Sequence, residues 1–241
     1  MTVQSVLYNP VNYPESAEAM AARSAGAKSA VKTDRRRNRT RKALIDAGRS
    51  LFAARHVDGV TVDEIVTAAD VAKGSFYNHF TDKDVFAREI AAMARRHAEQ
   101  TVNIANRGIE DPALHLARAV CVFVRFAIEH RESAQLLWRL NAGATMADAP
   151  INRVLRDNLQ SGIRAGRFKH VDIESAVLLV IGSIVVALRH ALEERLITPP
   201  IKIAEHMAAG LLRSLGVAVE PAAKLSGTAA VSIFSSNSNI G

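Results

Sequence analysis

The chain has 241 residues, enough for one or two domains, and 49% of them are hydrophobic. That share excludes a chain that is disordered throughout. The single cysteine, Cys121, excludes an internal disulfide and a cysteine-based zinc cluster. Lys and Arg outnumber Asp and Glu by 31 to 24, which gives a formal net charge of +7.

The positive charge is concentrated in one segment. Residues 28–42 contain eight basic residues and one acidic residue, Asp34, so the segment alone carries the net charge of the whole chain. A neutral molecule with one basic segment is typical of a protein that uses a basic arm to bind a polyanion.

The longest apolar stretch runs from Ala176 to Leu188, between Glu174 and Arg189. It is shorter than the roughly 20 residues that a membrane-spanning helix needs. The first 26 residues lack the basic start and apolar core of a signal peptide. We therefore expect a cytoplasmic protein with no membrane partner.

The two ends of the chain differ from its middle. Residues 1–37 contain Pro10, Pro14 and many small residues without apolar periodicity, which predicts a disordered extension that carries the basic arm. Residues 217–241 end in a Ser/Asn-rich run and predict a disordered tail. Between them, apolar residues recur with a period of about 3.6 residues, which predicts an all-α fold.

Residues 61–80 have the pattern of a helix-turn-helix. Thr61 and Glu64 have the spacing of a capping box, which predicts a short helix from Thr61; the similar run from Thr81 predicts another helix there. A turn at 70–72 precedes a second short helix, residues 73–80, in which Phe76 and Phe80 share one face. The other face carries polar side chains, and the major groove, about 12 Å wide, admits one such helix.

These patterns predict the residues that contact DNA. The arginines of the arm are expected in the minor groove, the second short helix on base edges, and the start of the helix after Asp82 on a phosphate. The predicted contacts are Arg35, Arg36, Arg37, Arg39, Thr61, Lys73, Gly74, Ser75, Tyr77, Asn78, His79 and Lys83.

Residues 39–90 resemble the DNA-binding domain of the TetR/AcrR family of transcriptional regulators. The matching runs are Ala43-Leu44-Ile45-Asp46-Ala47, Leu51-Phe52, Val60-Thr61-Val62-Asp63-Glu64-Ile65, Ala68-Ala69, Lys73-Gly74-Ser75-Phe76-Tyr77, His79-Phe80 and Lys83. The resemblance implies about nine helices, a homodimer, an inverted-repeat operator on double-stranded DNA and a small-molecule effector. It places a helix-turn-helix domain at residues 38–84 and a ligand-binding and dimerisation domain at residues 85–216.

The sequence departs from the family pattern in three places. Asp70 stands in the turn where the family usually has Gly, and Ala72 stands where a capping Ser is usual. His56-Val57 replaces the common Gly and aromatic residue after the first helix. Asp tolerates left-handed backbone less well than Gly, and a lost cap costs about 1 kcal/mol, so these changes predict a less rigid DNA-binding domain.

Two sets of residues are candidates for the remaining roles. Polar and aromatic residues on apolar helices are candidates for the ligand pocket, with plain core packing as the alternative: His115, Cys121, Phe123, Trp138 and Asn141. Apolar residues of the last two predicted helices are candidates for a four-helix dimer interface: Ile181, Val185, Leu188, Leu192, Met207, Ala208, Leu211 and Leu212.

The sequence contains none of the common catalytic, phosphate-binding or metal-ligand motifs that we searched for, so we expect neither an enzyme nor a cofactor or metal. The expected function is that of a nucleoid-associated transcriptional regulator, a repressor that a small ligand releases from its operator. The sequence leaves open whether the protein represses or activates transcription. The alternative is a DNA-bound nucleoid or division factor that acts through a protein partner. A cavity would favour the regulator, and an exposed apolar patch over a filled core would favour the partner.

Overall fold

The computed structural model describes residues 17–140 and 152–235, and it describes side chains from residue 34 onward. These residues form ten α-helices and one 3-10 turn, which confirms the predicted all-α class. The helices are α1 Ala17–Ala54, α2 Val62–Ala68, α3 Lys73–Tyr77, α4 Lys83–Ala105, α5 Pro112–Glu129, α6 Arg131–Leu140, α7 Arg153–Arg164, α8 Ile173–Ala191, α9 Pro200–Ser214 and α10 Val219–Ser235. The 3-10 turn is Val57–Gly59, and the predicted pocket residue Asn141 lies outside the described residues.

The helix starts follow the caps that the sequence contains. Thr61 forms the predicted capping box: its hydroxyl accepts from the Glu64 N–H at 3.2 Å, and its own N–H donates to the Glu64 carboxylate at 2.8 Å. The cap of α4 lies one residue after the predicted Thr81: α4 begins at Lys83, and Asp82 is the cap and accepts from the Val85 N–H at 2.7 Å. Carboxylate and hydroxyl caps are about equally effective, so the pattern alone did not choose between Thr81 and Asp82.

The prediction that residues 1–37 are disordered is wrong from Ala17 onward. α1 is one continuous helix from Ala17 to Ala54, whereas the pattern placed its start near Arg39. The segment from residue 17 is rich in Ala, the best helix former, and no Pro follows Pro14 before the packed part of the helix. A helix can propagate from a packed segment without apolar periodicity. The apolar pattern therefore did not reveal the part of α1 before Arg39.

The prediction of a disordered tail at 217–241 is also wrong as far as Ser235. α10 packs against α5 and α9, and it buries Ala222, Ala229, Ala230 and Ile233. These residues share one helix face, but most of them are alanine, so the buried stripe has little apolar contrast in the sequence. Residues 236–241 lie outside the described part of the chain.

Two buried clusters organise the described residues. The first, here called the head core, contains residues of α1 to α4, among them Leu44, Phe52, Phe76 and Phe86. The second, the C-terminal core, is built from α5, α7, α8, α9 and α10. α4 contributes to both, because its buried residues belong to the head core as far as Ala94 and then to the C-terminal core.

α6 follows α5 in the chain but packs mainly against α1 and α4. Its Leu136 is buried in the head core, and Glu132 at its start pairs with Arg49 of α1 at 3.1 Å. Because α6 also directly follows α5 of the C-terminal core, it connects that core to the head core.

α8 is long and apolar enough to cross a membrane by length and composition, with a mean hydropathy of 1.8. One face of this helix is buried in the C-terminal core through residues such as Ala176, Val177 and Val180. A soluble protein's core or interface helix has the same composition, so this property alone does not define a membrane span.

Candidate nucleic-acid interface

α3, here called the reading helix, is anchored by one aromatic side chain. Phe76 is completely buried, and its ring lies 5.5 Å from that of Phe80 and 5.3 Å from that of Phe86. This contact fixes which face of the helix is turned outward, because a five-residue helix has little stability of its own. The outward face carries Lys73, Gly74 and Tyr77.

The turn before the reading helix contains two of the three departures from the family pattern, Asp70 and Ala72. Asp70 adopts the left-handed backbone that the turn requires, with φ 52°. The Val71 N–H donates to the Val66 carbonyl at 3.0 Å and closes the turn. Ala72 provides no side-chain cap, so the predicted loss of that hydrogen bond is present in the structure.

Tyr77 is the large side chain that the reading helix exposes. More than half of it, 54%, is accessible, and its ring packs edge-on against Phe76 at 5.4 Å. Asn78, the residue after it, is also exposed. An aromatic ring with a terminal hydroxyl, held by a buried neighbour, can contact a thymine methyl and donate a hydrogen bond to a base or phosphate.

Gly74 leaves the backbone of the reading helix without a covering side chain at this position. A Cβ built on Gly74 would meet no atom within 4 Å, and its φ lies outside the left-handed region. The packing of this chain therefore does not require glycine, which costs about 0.5–1 kcal/mol relative to Ala inside a helix. A glycine at such a place permits close approach of another molecule to the backbone.

Ser75 and His79 are half-buried rather than fully open to solvent. Burial lowers the pKa of His79, and the charges of Arg37 and Arg41 lower it further. Arg37 lies one helical turn before Arg41, on the same side of α1. Arg41 also lies over the Phe80 ring, 5.4 Å from its centre, and pairs with Glu89.

The basic residues of α1 do not form a flexible arm in the described structure. A helix with side chains is about 10–12 Å across, whereas the minor groove is about 6 Å wide, so the expected minor-groove contact does not fit this helical segment. Arg37 and Arg41 lie on the side of α1 that faces the reading helix. Arg39 lies on the opposite side of α1, about 200° around the helix axis from Arg37. Arg35 lies on the same side as Arg39, and Arg36 is exposed between the two sides.

Three of the predicted DNA contacts have partners within the protein. Lys83 donates to the carbonyls of Val57 and Val60 at 3.0 Å each, which ties α4 to the 3-10 turn. Thr61 is engaged in its capping box. Lys73 is also engaged, since its Nζ lies 2.8 Å from a carboxylate oxygen of Asp63.

The predicted pocket residues have different surroundings. Cys121 is completely buried, and burial raises its thiol pKa to about 12, while Phe123 packs on the C-terminal core. Trp138 is 44% exposed beneath the Arg189 guanidinium. His115 is half-buried; burial lowers its pKa, and its Nδ1 is buried without a hydrogen-bond partner. The described contacts do not bring these four residues together.

The predicted dimer residues need a correction. Five of them lie inside their own subunit and offer no surface: Leu188, Leu192, Ala208, Leu211 and Leu212. Three are half-buried: Ile181, Val185 and Met207. The exposed apolar side chains of α8 are Leu178, Leu179 and Val186, and a Cβ on the neighbouring Gly182 would meet nothing within 4 Å. α8 is apolar on all sides, so its sequence did not indicate which face is buried.

The all-helical fold and the anchored, exposed reading helix define a helix-turn-helix DNA-binding regulator. Family models match both parts of the chain: bacterial regulatory proteins of the tetR family at residues 44–90, and the tetracyclin repressor-like C-terminal domain at residues 111–227. The chain belongs to the TetR family of transcriptional regulators.

Two curated relatives illustrate the likeness. The transcriptional repressor DhaR of Mycobacterium sp. strain GP1 is 41% identical over 67 residues, which cover 28% of this chain and only 34% of that repressor. The uncharacterised helix-turn-helix regulator YdgC of Bacillus subtilis strain 168 is 28% identical over 164 residues, which cover 66% of this chain and 82% of YdgC.

A solved structure extends the likeness to the whole fold. The structure of RolR in complex with its ligand resorcinol has a TM-score of 0.54 and 26% sequence identity, and the match covers 80% of this chain and 95% of RolR. The shared fold therefore includes the C-terminal helices as well as the helix-turn-helix.

Proposed function

We propose that this protein is a homodimeric repressor that binds an inverted-repeat operator and is released by a small-molecule ligand. The observation that carries the proposal is the reading helix, whose buried Phe76 leaves Lys73, Gly74 and Tyr77 outward on one face. Such a face, presented on a helix-turn-helix, suits base edges in a major groove. The DhaR relative is a repressor, which favours repression over activation.

Within this proposal the surrounding residues supply phosphate contacts. Arg37 is the basic residue of α1 that lies beside the reading helix without a described ion pair, close enough to influence His79. Arg35, Arg36 and Arg39 add positive charge that speeds association without reading sequence. The expected effect of this charge is a strong salt dependence of binding.

The dimer is proposed to form through the exposed face of α8. Leu178, Gly182 and Val186 are spaced four residues apart and lie along one side of that helix. An isologous contact brings the same face of a second copy against it, and the bare Gly182 backbone allows the two helices to cross closely. Two copies give two reading helices, as an inverted repeat requires.

Ligand release is proposed to act through α6 and α4. Leu136 of α6 lies in the head core, and Glu132 pairs with Arg49, so a shift of α6 moves the helix-turn-helix relative to the C-terminal core. RolR, which shares the fold, was solved with resorcinol bound. A change in the separation of the two reading helices breaks the match to both half-sites at once.

The proposal is tested by selecting duplexes from a randomised pool with the full-length protein. The selected sequences should contain an inverted repeat, and a promoter that carries it should lose expression when the protein is present. Selection of no common sequence, or of a single asymmetric half-site, would overturn the operator proposal. Increased expression would overturn the assignment as a repressor.

A further inference from the structure

Asp63 is an acidic residue in direct contact with the first residue of the reading helix. It lies in the first turn of α2, and its two oxygens lie 2.8 and 3.1 Å from Lys73 Nζ. The hydrogen bond to Asp63, and then its charge, raise the pKa of Lys73. The two residues belong to different helices, so the pair arises from the helix-turn-helix fold and not from spacing along one helix.

The position of Asp63 is unfavourable for a surface that only needs to attract DNA. A carboxylate beside the reading helix repels phosphates and occupies a lysine that would otherwise bind them. Both side chains are more than half exposed, and exposed pairs contribute little to fold stability. The start of α2 already has its cap in Thr61 and Glu64, so Asp63 is not needed to complete the capping box.

We infer that Asp63 is a positioning residue that directs Lys73 toward bases and withholds it from non-specific phosphate contacts. A free lysine has a flexible four-carbon stem and reaches any phosphate nearby, and such contacts carry no sequence information. The pair with Asp63 favours one direction of the ammonium group over the first turn of the reading helix. The inference rests on the proposed role of that helix in reading DNA.

The pair leaves Lys73 able to contact a base. An ammonium group has three donors, and the two Asp63 oxygens take at most two of them. The remaining donor can reach an acceptor on a base edge, such as O6 or N7 of guanine. On a sequence without that acceptor, Lys73 stays with Asp63 and contributes no phosphate contact.

The chain contains a matched control for this pair. Lys42 and Asp46 form an exposed pair at 2.6 Å, with both residues on α1. Replacing Asp46 with Asn removes the same charge and releases the same type of side chain, but both residues of this pair belong to α1 and not to the reading helix. A difference between Asp63→Asn and Asp46→Asn therefore reports the position of Asp63 and not the net charge of the protein.

The experiment measures binding of full-length wild type, Asp63→Asn and Asp46→Asn to two duplexes over a range of salt concentrations. One duplex is the sequence that wild type selects from a randomised pool, and the other is the same sequence scrambled. In Asp63→Asn we expect affinity for the scrambled duplex to rise about two- to fivefold. Its salt slope should steepen by about 0.9, because one more phosphate is contacted.

Affinity of Asp63→Asn for the selected duplex should not rise, so its preference for that duplex should fall. The Lys73→Ala background should abolish the change in slope. An equal rise on both duplexes, or the same change of preference in Asp46→Asn, would overturn the inference, since either result reduces Asp63 to a general negative charge. A wild type that selects no sequence would instead refute the proposed function.

Discussion

Gly74 shows at the scale of one residue how stability and binding can oppose each other. Replacing it with Ala should raise the free energy of unfolding by about 0.5–1 kcal/mol, because Ala is the better helix former and the new Cβ meets no neighbour. The same methyl group should weaken operator binding, because it fills the space where the backbone approaches DNA. Thermal unfolding and operator titration measure the two effects.

Gly210→Ala in α9 is the control for this substitution, since its Cβ also meets nothing within 4 Å. It should stabilise the protein without weakening DNA binding. Operator affinity that is unchanged in Gly74→Ala would show that the reading helix does not approach DNA at this point.

The arginines of α1 separate into different roles at the same scale. Arg37 lies on the side of α1 that faces the reading helix, and Arg39 lies on the opposite side of α1. Arg37→Ala should reduce the salt slope of operator binding by about 0.9, the effect of one lost phosphate contact. Arg39→Ala, which removes the same charge, should change the slope less. Equal slopes for the two variants would contradict this division.

α10 is a packed helix in a segment whose sequence pattern predicted a disordered tail. Ile233→Ala should lower the free energy of unfolding by about 2–4 kcal/mol, because the side chain is buried against the C-terminal core. Val231→Ala, two residues away and 59% exposed, should change it by less than about 0.5 kcal/mol. Similar small losses in both variants, measured by denaturant unfolding, would mean that α10 is not packed.

The elements differ in how far their sequences predict them. The caps at Thr61, Asp111 and Asp172 are local, since each side chain bonds a backbone N–H within three residues. The start of α2 was predicted from such a local pattern, the capping box of Thr61 and Glu64. The existence of α10 depends on α5 and α9, which lie far away in the chain. The reading helix was predicted because its aromatic spacing is local. Its contact with Asp63 was not predicted, because it spans two helices.

At the scale of the whole molecule, the dimer depends on the outer face of α8. Val186→Asp should convert the dimer to a monomer, because it places a charge within the proposed contact. Val154→Asp on α7 changes a similarly exposed valine away from that face and should leave the dimer intact. Sedimentation velocity distinguishes the two states, and a dimer that persists in Val186→Asp would place the interface elsewhere.

The dimer interface is the feature of the whole molecule that the sequence does not locate. The apolar character of the last two predicted helices indicated a dimer interface there, but the candidate residues included Leu188, Leu211 and Leu212, which the C-terminal core buries. A helix that is apolar on every side has no pattern that separates its inner face from its outer face. Only the packing of α8 on its neighbours shows that Leu178, Leu179 and Val186 are outward.

The measurement that tests the central claim most directly is operator binding by Tyr77→Ala. The side chain is mostly exposed, so its loss should leave helix content and the dimer unchanged. Affinity for the selected operator should fall about tenfold or more, while affinity for the scrambled duplex should stay close to that of wild type. Retained preference for the operator in a folded, dimeric Tyr77→Ala would contradict the assignment of α3 as the helix that reads DNA.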